Sequence, residues 1–342
     1  LQGMASGYTR FRKRVIDEGQ GTLFTNPDPD EARAFFRTKS RRLETTVMGL
    51  KDAIAKFVND GDYLAIGGFG ANRTPLAACH EIVRQGKKNL GFAGHTATHD
   101  MQVLSVGEVY DRVDVAYVVG LEARGLSRCS RRYIESGKVK MTEWTNYLLS
   151  VRLQAAAANV PFLPARVAMG TDTFKYGAGK IVECPFTGKK TLLVPALYPD
   201  VSVIHVHEAD IYGNARFSGI GIADHELANA SKRLIITTEK LISNKDIRYT
   251  PDKTQIPYYL VDAVCHVPFG AYPGNMAGEY FSDEDHLRDW LVAEKDPERF
   301  RDFVNRNIYE CESHEDYVNR NGGLTKMAEL RKKELLLDRE VK

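Results

Sequence analysis

An α/β fold is predicted for this 342-residue chain: a Rossmann-like, open and mostly parallel sheet flanked by helices, ending in charged C-terminal helices. Three observations predict it. Short segments that are apolar at every position recur from Tyr63 onward, the pattern of strands buried on both faces. Between most of them lie stretches with apolar residues at helical spacing, of which "NYLLSVRLQAAAAN" is the clearest. Finally, 43% hydrophobic and 27% charged residues are ordinary for a globular chain long enough to bury a sizeable core.

Residues 1–46 read differently from the rest. "YTRFRKR" and "FFRTKSRR" flank "GQGTLFTNPDPDEA", which is rich in turn residues. The segment reads as an N-terminal extension, partner-contacting or flexible, wrapping a partner or the chain's own body, with a short helix from Pro29 to Thr38. Its basic clusters read as a solvated or partner-contacting arm. The net charge of +2 makes no case for nucleic acid.

From residue 47 to 342 the pattern is that of one α/β domain. Leu50, Ala53, Ile54, Phe57 and Val58 recur at helical spacing, and Asp60-Gly61 stops that helix. "YLAIGGF" is a short strand, after which Thr74 and Pro75 supply an N-cap and a first-turn proline for "LAACHEIVRQG". Further strands are expected at "LGFAG", "VDVAYVVG", "TLLVPAL", "VSVIHVHEA", "RLIITTE" and "VDAVCHVP". Beyond Ser282 the chain turns highly charged, giving a C-terminal helical segment over 282–342. Five cysteines without a CxxC pair fit a reduced, cytoplasmic chain better than a disulfide framework. No apolar run approaches the ~20 residues of a membrane span, and the basic N-terminus lacks the apolar core of a secretory signal.

Candidate sites gather where strands end. "DGDYLAIGGFGANRTP", Asp60 to Pro75, is a strand–glycines–helix unit, which sets backbone N–H groups at the carboxyl edge of a sheet. Glycines that merely permit a sharp turn would look the same. "GGFGAN", "GFAGHT" and "SGIGIAD" all miss G-x-G-x-x-G, and no GxxxxGK[ST] is present, so dinucleotide and P-loop readings fail. His95 and His99 in "GHTATHD" stand four apart but lack the internal Glu of HExxH and follow a glycine, so no metal site is assigned. His205 and His207 share one face of a strand and read as structural. In "GLEARGLSRCSRRY", Glu122 to Ser127 form a loop after a strand. There Glu122 is a candidate carboxylate, and Arg124 can grip a substrate carboxylate or simply pair with Glu122. Arginines beside Cys129 would lower its thiol pKa, but nothing specific supplies a His partner. No GxSxG occurs.

Asp60, Gly61, Leu64 to Ile66, Gly67, Gly68, Phe69 and Pro75 match the first signature of the family I coenzyme A transferases, and the chain resembles that family from Leu50 through most of its length. Where the 3-oxoacid branch has glycine two residues before the proline, this chain has Arg73, as the A subunits of the glutaconate CoA-transferase branch do. The resemblance continues through "LKDAIAKFVNDGD", "SRRYIESGK", "QAAAANVPFLP", "DVSVIHVHEAD" and "DAVCHVPFGAYP". It implies the A subunit of a heteromeric enzyme, an A2B2 or larger assembly with a B subunit, moving CoA between carboxylic acids through a glutamyl thioester. The CoA thioester is then a substrate, with no permanently bound cofactor. The family's nucleophilic glutamate lies in a Ser-Glu-Asn-Gly motif of the B subunit, and no "SEN" occurs here, so no catalytic residue is assigned to this chain. The resemblance places Gly67, Gly68, Phe69, Gly70 and Arg73, then His95 and Thr96, then Glu122, Arg124 and Gly125, and Asn146 along one wall of the acyl pocket. In the glutaconate branch a serine stands at the place of Arg124. Relatives of the same fold hydrolyse cyclic β-keto acyl-CoAs in steroid breakdown or act as decarboxylases. The hydrolase branch carries a glutamate eight residues before "QAAA", where this chain has Asn146, and an amide is no general base.

Overall fold

The computed structural model describes residues 15–118 and 124–337. Twelve strands run through them: β1 (Val15–Glu18), β2 (Tyr63–Ile66), β3 (Leu90–Gly94), β4 (Tyr110–Val115), β5 (Lys140–Glu143), β6 (Phe162–Ala165), β7 (Lys180–Glu183), β8 (Lys190–Pro195), β9 (Val201–Ala209), β10 (Ala215–Arg216), β11 (Arg233–Leu241) and β12 (Ala263–His266). The helices of the first half are α1 (Pro29–Phe36), α2 (Leu50–Phe57), α3 (Leu76–Arg84), α4 (His99–Val106), α5 (Arg128–Glu135) and α6 (Asn146–Ala157). Those of the second are α7 (Asp172–Lys175), α8 (Asp224–Ala230), α9 (Asn244–Tyr249), α10 (Glu284–Ala293), α11 (Pro297–Val304), α12 (His314–Arg320) and α13 (Gly323–Glu334).

The main sheet has the order β12-β11-β9-β2-β3-β4-β5, every neighbour parallel, with β10 antiparallel on β9. From β2 the chain builds outward through β3, β4 and β5, then returns to the other side of β2 and builds outward again through β9, β11 and β12. The order therefore reverses between β2 and β9. In open α/β sheets the crevice beyond the carboxyl ends at such a switch is where ligands bind.

The two faces of this sheet carry separate cores. One gathers Leu64, Phe92, Leu104 and Val203 beneath α2 to α5, with Trp290 and Phe300 arriving from the C-terminal helices. The other gathers Ala65, Leu149, Ile204 and Ile236 with residues of a second sheet, among them Ile181, Leu192 and Val194. That second sheet is antiparallel, in the order β1-β7-β8-β6. "TLLVPAL" is thus a strand as expected, but β8 belongs to this small sheet and not to the parallel one. A third core joins Tyr272, Met276 and Tyr280 to Tyr317, Met327 and Leu330 of α12 and α13.

Residues 15–46 lie along the body of the chain. The Gly19 N–H donates to Gly179 O at 2.9 Å. Thr142 Oγ1 donates to Thr22 O at 2.7 Å, and Lys39 Nζ pairs with Asp262 at 2.8 Å. The helix expected from Pro29 forms as α1, capped by Asp28. At the far end Val47 makes a parallel bridge to Val264 of β12. Among the described residues no helix is long and apolar enough to cross a membrane.

Candidate functional site at the sheet's switch point

The glycine turn leaves β2 at the reversal of strand order, and its geometry explains its residues. Gly67 N–H donates to Val203 O of β9 at 2.9 Å, so the turn begins inside the sheet. A Cβ on Gly67 would lie 2.6 Å from Asp224 Oδ1, and one on Gly68, at φ +84°, 2.7 Å from Asn72 O. Both positions exclude a side chain. Phe69 and Asn72 then exchange both backbone hydrogen bonds at 2.9 Å, leaving Gly70 and Ala71 as a two-residue tip. The N–H groups of Gly67, Gly68 and Phe69 are engaged by Val203, Asp224 and Asn72, whereas those of Gly70 and Ala71 have no partner among the described residues. A backbone donor for a developing oxyanion is therefore offered at the tip, not at the base, of the turn.

Arg73 holds that shape. It sits at φ +56° and is 0% exposed. Its Nη2 donates to Asp224 Oδ2 at 2.5 Å and to Ile220 O, its Nη1 reaches His205 O at 3.4 Å, and its guanidinium lies 4.4 Å from the Phe217 ring centroid. Asp224, at the start of α8, also accepts the Gly68 N–H at 2.8 Å. One carboxylate thus joins the base of the turn to the arginine that closes it. Arg73 has no exposed surface to offer a ligand. Thr74 does not cap α3, as the sequence suggested: Pro75 is the N-cap, and Thr74 Oγ1 donates to Gly70 O at 2.9 Å, as Thr98 Oγ1 also does.

His95 follows β3 and stands 5.5 Å, centroid to centroid, from Phe69. Its Nε2 donates to the backbone oxygen of Asn146 at 2.9 Å and lies 2.7 Å from Ser150 Oγ, both on α6. Burial lowers its pKa, which favours the neutral ring with Nδ1 as a bare acceptor. His95 Nδ1, Thr96 Oγ1 and Asn146 Oδ1 are buried without a hydrogen-bond partner among the described residues. Unpaired buried polar atoms are uncommon, and here three of them fall on predicted site residues. His99 goes elsewhere, bonding Gln102 at 2.7 Å and stacking edge-on to Trp290 of α10. The two histidines share no site.

Glu122 falls outside the described residues. Arg124 pairs with Glu284 of α10, Nε and Nη2 donating to its two oxygens at 2.8 and 2.5 Å. Gly125 takes φ +92°. This loop adjoins the His95 loop through a parallel bridge between Ala97 and Val118. Cys129 contradicts the sequence reading: burial, then the neighbouring Glu294, push its thiol pKa up to about 12.

A feature the sequence did not reveal lies across the Phe217–Ile222 segment from the glycine turn. A cleft of about 810 Å³ opens beyond the carboxyl ends of β9 and β11, with His207, Phe217, Glu239, Lys240, Lys253 and Phe269 in its walls. His207 donates to Ala277 O through Nε2 and accepts the Ser218 N–H at Nδ1, so both ring nitrogens are occupied. Burial would raise the pKa of Glu239, but hydrogen bonds from His205, Tyr280 and the Phe269 N–H bring it below the usual value. The polar residues ending "VIHVHEAD" were its only trace in the sequence.

Fold and site together define an α/β chain that presents backbone donors and neutral polar groups at a topological switch point. Comparison with known proteins sharpens that class. The family model described as coenzyme A transferase matches residues 47–266, and the chain belongs to that family. An uncharacterized protein of Archaeoglobus fulgidus is 44% identical, covering 96% of this chain and 74% of its own length. The A subunit of glutaconate CoA-transferase from Acidaminococcus fermentans is 34% identical (81% of this chain, 92% of that protein). The A subunit of 3-oxoadipate CoA-transferase from Pseudomonas knackmussii is 32% identical (77% and 93%). Among solved structures, glutaconate coenzyme A-transferase from Acidaminococcus fermentans superposes with a TM-score of 0.79 at 32% identity, covering 84% of this chain and 95% of that one. The decarboxylase AibA/AibB gives 0.68 at 30% identity, covering 77% and 98%.

Proposed function

We propose that this chain is the A subunit of a glutaconate-type acyl-CoA:carboxylate CoA-transferase and forms one wall of an acyl pocket that a B subunit completes. The observation that carries the reading is the glycine turn: it sits at the reversal of strand order, is locked from behind by the buried Arg73–Asp224 pair, and leaves backbone donors without a partner among the described residues only at its tip. The partner's glutamate attacks the acyl-CoA carbonyl and expels CoA thiolate, giving an acyl-glutamyl anhydride. The thiolate attacks the glutamyl carbonyl of that anhydride, releasing the first carboxylate and leaving a glutamyl-CoA thioester. The acceptor carboxylate then reverses the two steps and leaves as the new CoA thioester. Gly70 and Ala71 N–H groups stabilise the oxyanion of each tetrahedral intermediate, and His95, Thr96 and Asn146 line the acyl group. Arg73 shapes the turn without touching substrate. The assembly is A2B2 or larger and works in the cytoplasm, with the CoA thioester as substrate and no resident cofactor.

The test is to co-purify the chain with a B-type partner, add acyl-CoA, and treat with borohydride. Inactivation is expected only after acyl-CoA, with the modification on the partner's glutamate. Absence of CoA exchange across a broad panel of acceptor acids overturns the reading, and product release without any acceptor acid reassigns the chain to a hydrolase. Asn146 weighs against that outcome, since its amide cannot take a proton from water.

A further inference from the structure

Two carboxylates of α10 meet the loop that follows β4, in different ways. Glu294, which caps the helix's C-terminal end, is 1% exposed. It accepts Ser127 Oγ at 2.5 Å, the Arg128 N–H at 2.6 Å and Trp290 Nε1 at 2.7 Å. That contact fixes the C-terminal helices to the loop. Glu284, at the other end of the helix, grips Arg124 in a two-toothed pair while its own side chain is 47% exposed and that of Arg124 only 16%. With Glu294 already docking the helix, the outer pair is not needed for that purpose. Glu284 also has alternative partners: Ser282 Oγ donates to it at 2.5 Å, and as the first residue of α10 it sits at the favourable end of the helix dipole. The carboxylate can leave Arg124 without being stranded, and Arg124 lies in the loop between the carboxyl end of β4 and α5, on the ligand edge of the sheet. That edge is continuous: Gly70 O accepts Thr98 Oγ1, and the Thr98 loop is bridged to the root of the Arg124 loop by Ala97 and Val118.

We propose that Glu284 is a stand-in carboxylate, occupying on Arg124 the seat that the second carboxylate of a dicarboxylic substrate takes over. This rests on the transferase reading and adds to it a selectivity device in which an intramolecular competitor sets the affinity for dicarboxylic over monocarboxylic acids. A planar guanidinium binds either carboxylate by the same pair of parallel hydrogen bonds, so the exchange conserves hydrogen bonds.

The experiment uses the complete complex, this chain together with its B-type partner, and two readouts: glutarate binding by calorimetry, and the ratio of kcat/KM for glutarate over butyrate as CoA acceptors. Glu284→Gln weakens the competitor and is expected to tighten glutarate binding and raise the ratio by about tenfold, while Arg124→Gln lowers both by a similar factor. If the two variants change thermal stability alone and move neither readout, the pair is only a clasp and the proposal falls. If butyrate and glutarate respond in parallel, the selectivity role falls as well. If the complex transfers no CoA but glutarate binding still responds in opposite directions to the two variants, the seat stands and the transferase reading fails.

Discussion

The glycine turn and the C-terminal helical segment both close on the carboxyl edge of the parallel sheet, and they are held there by opposite means. The turn is locked by full charges with no exposed surface, Arg73 against Asp224. Beyond the carboxylate contacts of Glu284 and Glu294 on α10, the C-terminal helices are held mainly by neutral imidazoles and phenols. His286 Nε2 lies 2.8 Å from Tyr317 Oη, His314 donates to Phe269 O at 2.7 Å, His80 stacks edge-on against Tyr317, and Tyr272 donates to Asp283 at 2.9 Å. Burial is the leading cause that lowers the pKa of each of these histidines, to about 4 for His286 and His314. Charge locking suits a turn whose backbone donors must hold position, because a buried ion pair tolerates neither water nor displacement. Neutral packing docks a large element but leaves it open to acid.

The largest test of that difference removes one partner of the locked pair. Asp224→Ala strands a buried guanidinium and frees the Gly68 N–H, so a loss of about 3–5 kcal/mol is expected in denaturant unfolding, together with loss of CoA exchange. A loss below about 1 kcal/mol would show that the pair is not the lock. Next comes acid. The folded pKa values of His286 and His314, about 4, lie below the unfolded value near 6.5. Their contribution to stability is complete above that unfolded value and declines as pH falls from about 6.5 to 4, by up to about 1.4 kcal/mol per pH unit for each histidine. Around them stand Asp283, Asp289, Arg306 and Lys326 on one side and Glu239, His205 and Arg84 on the other. Proteolysis and Trp290 fluorescence should therefore report loosening of residues 282–337 before the sheet unfolds, and simultaneous loss of both would break the comparison. A smaller effect, about 1–3 kcal/mol, is expected for Glu294→Gln, which keeps the shape but replaces an acceptor of three hydrogen bonds. The smallest is Arg131→Ala: its pair with Glu135 is exposed on both sides, and a change within about 0.5 kcal/mol in thermal unfolding is expected.

The parallel sheet was legible in the sequence because its central strands are buried on both faces: β2 and β3 are unbroken apolar runs, and β9 and β11 carry apolar stretches that end in polar residues. The antiparallel sheet was not. β1 is exposed at all four positions, and β6 and β7 are four residues long with a single buried residue each, Ala165 and Ile181. Such segments pair by register rather than by a hydrophobic signal. The glycine turn was legible as a turn at a ligand edge, and its two excluded Cβ positions explain why. The lock behind it was not, because Asp224 lies 151 residues from Arg73 and nothing local marks an aspartate that will serve another segment. Cys129 shows the converse hazard. Its arginine neighbours in sequence fan outward on α5, while the thiol turns inward toward Glu294 and the protein interior.

The bridge from Val47 to β12 has a consequence for how the protein behaves in solution. β12 is the outermost strand on its side of the main sheet, and a parallel edge strand exposes a row of unpaired amides that a neighbouring molecule can extend. Here Val264 donates its N–H to Thr46 O, and Met48 donates to Val264 O, both at 3.0 Å. The segment that leads into the domain thus caps the sheet's growing end, and a chain deprived of it would present a template for edge-to-edge polymerisation.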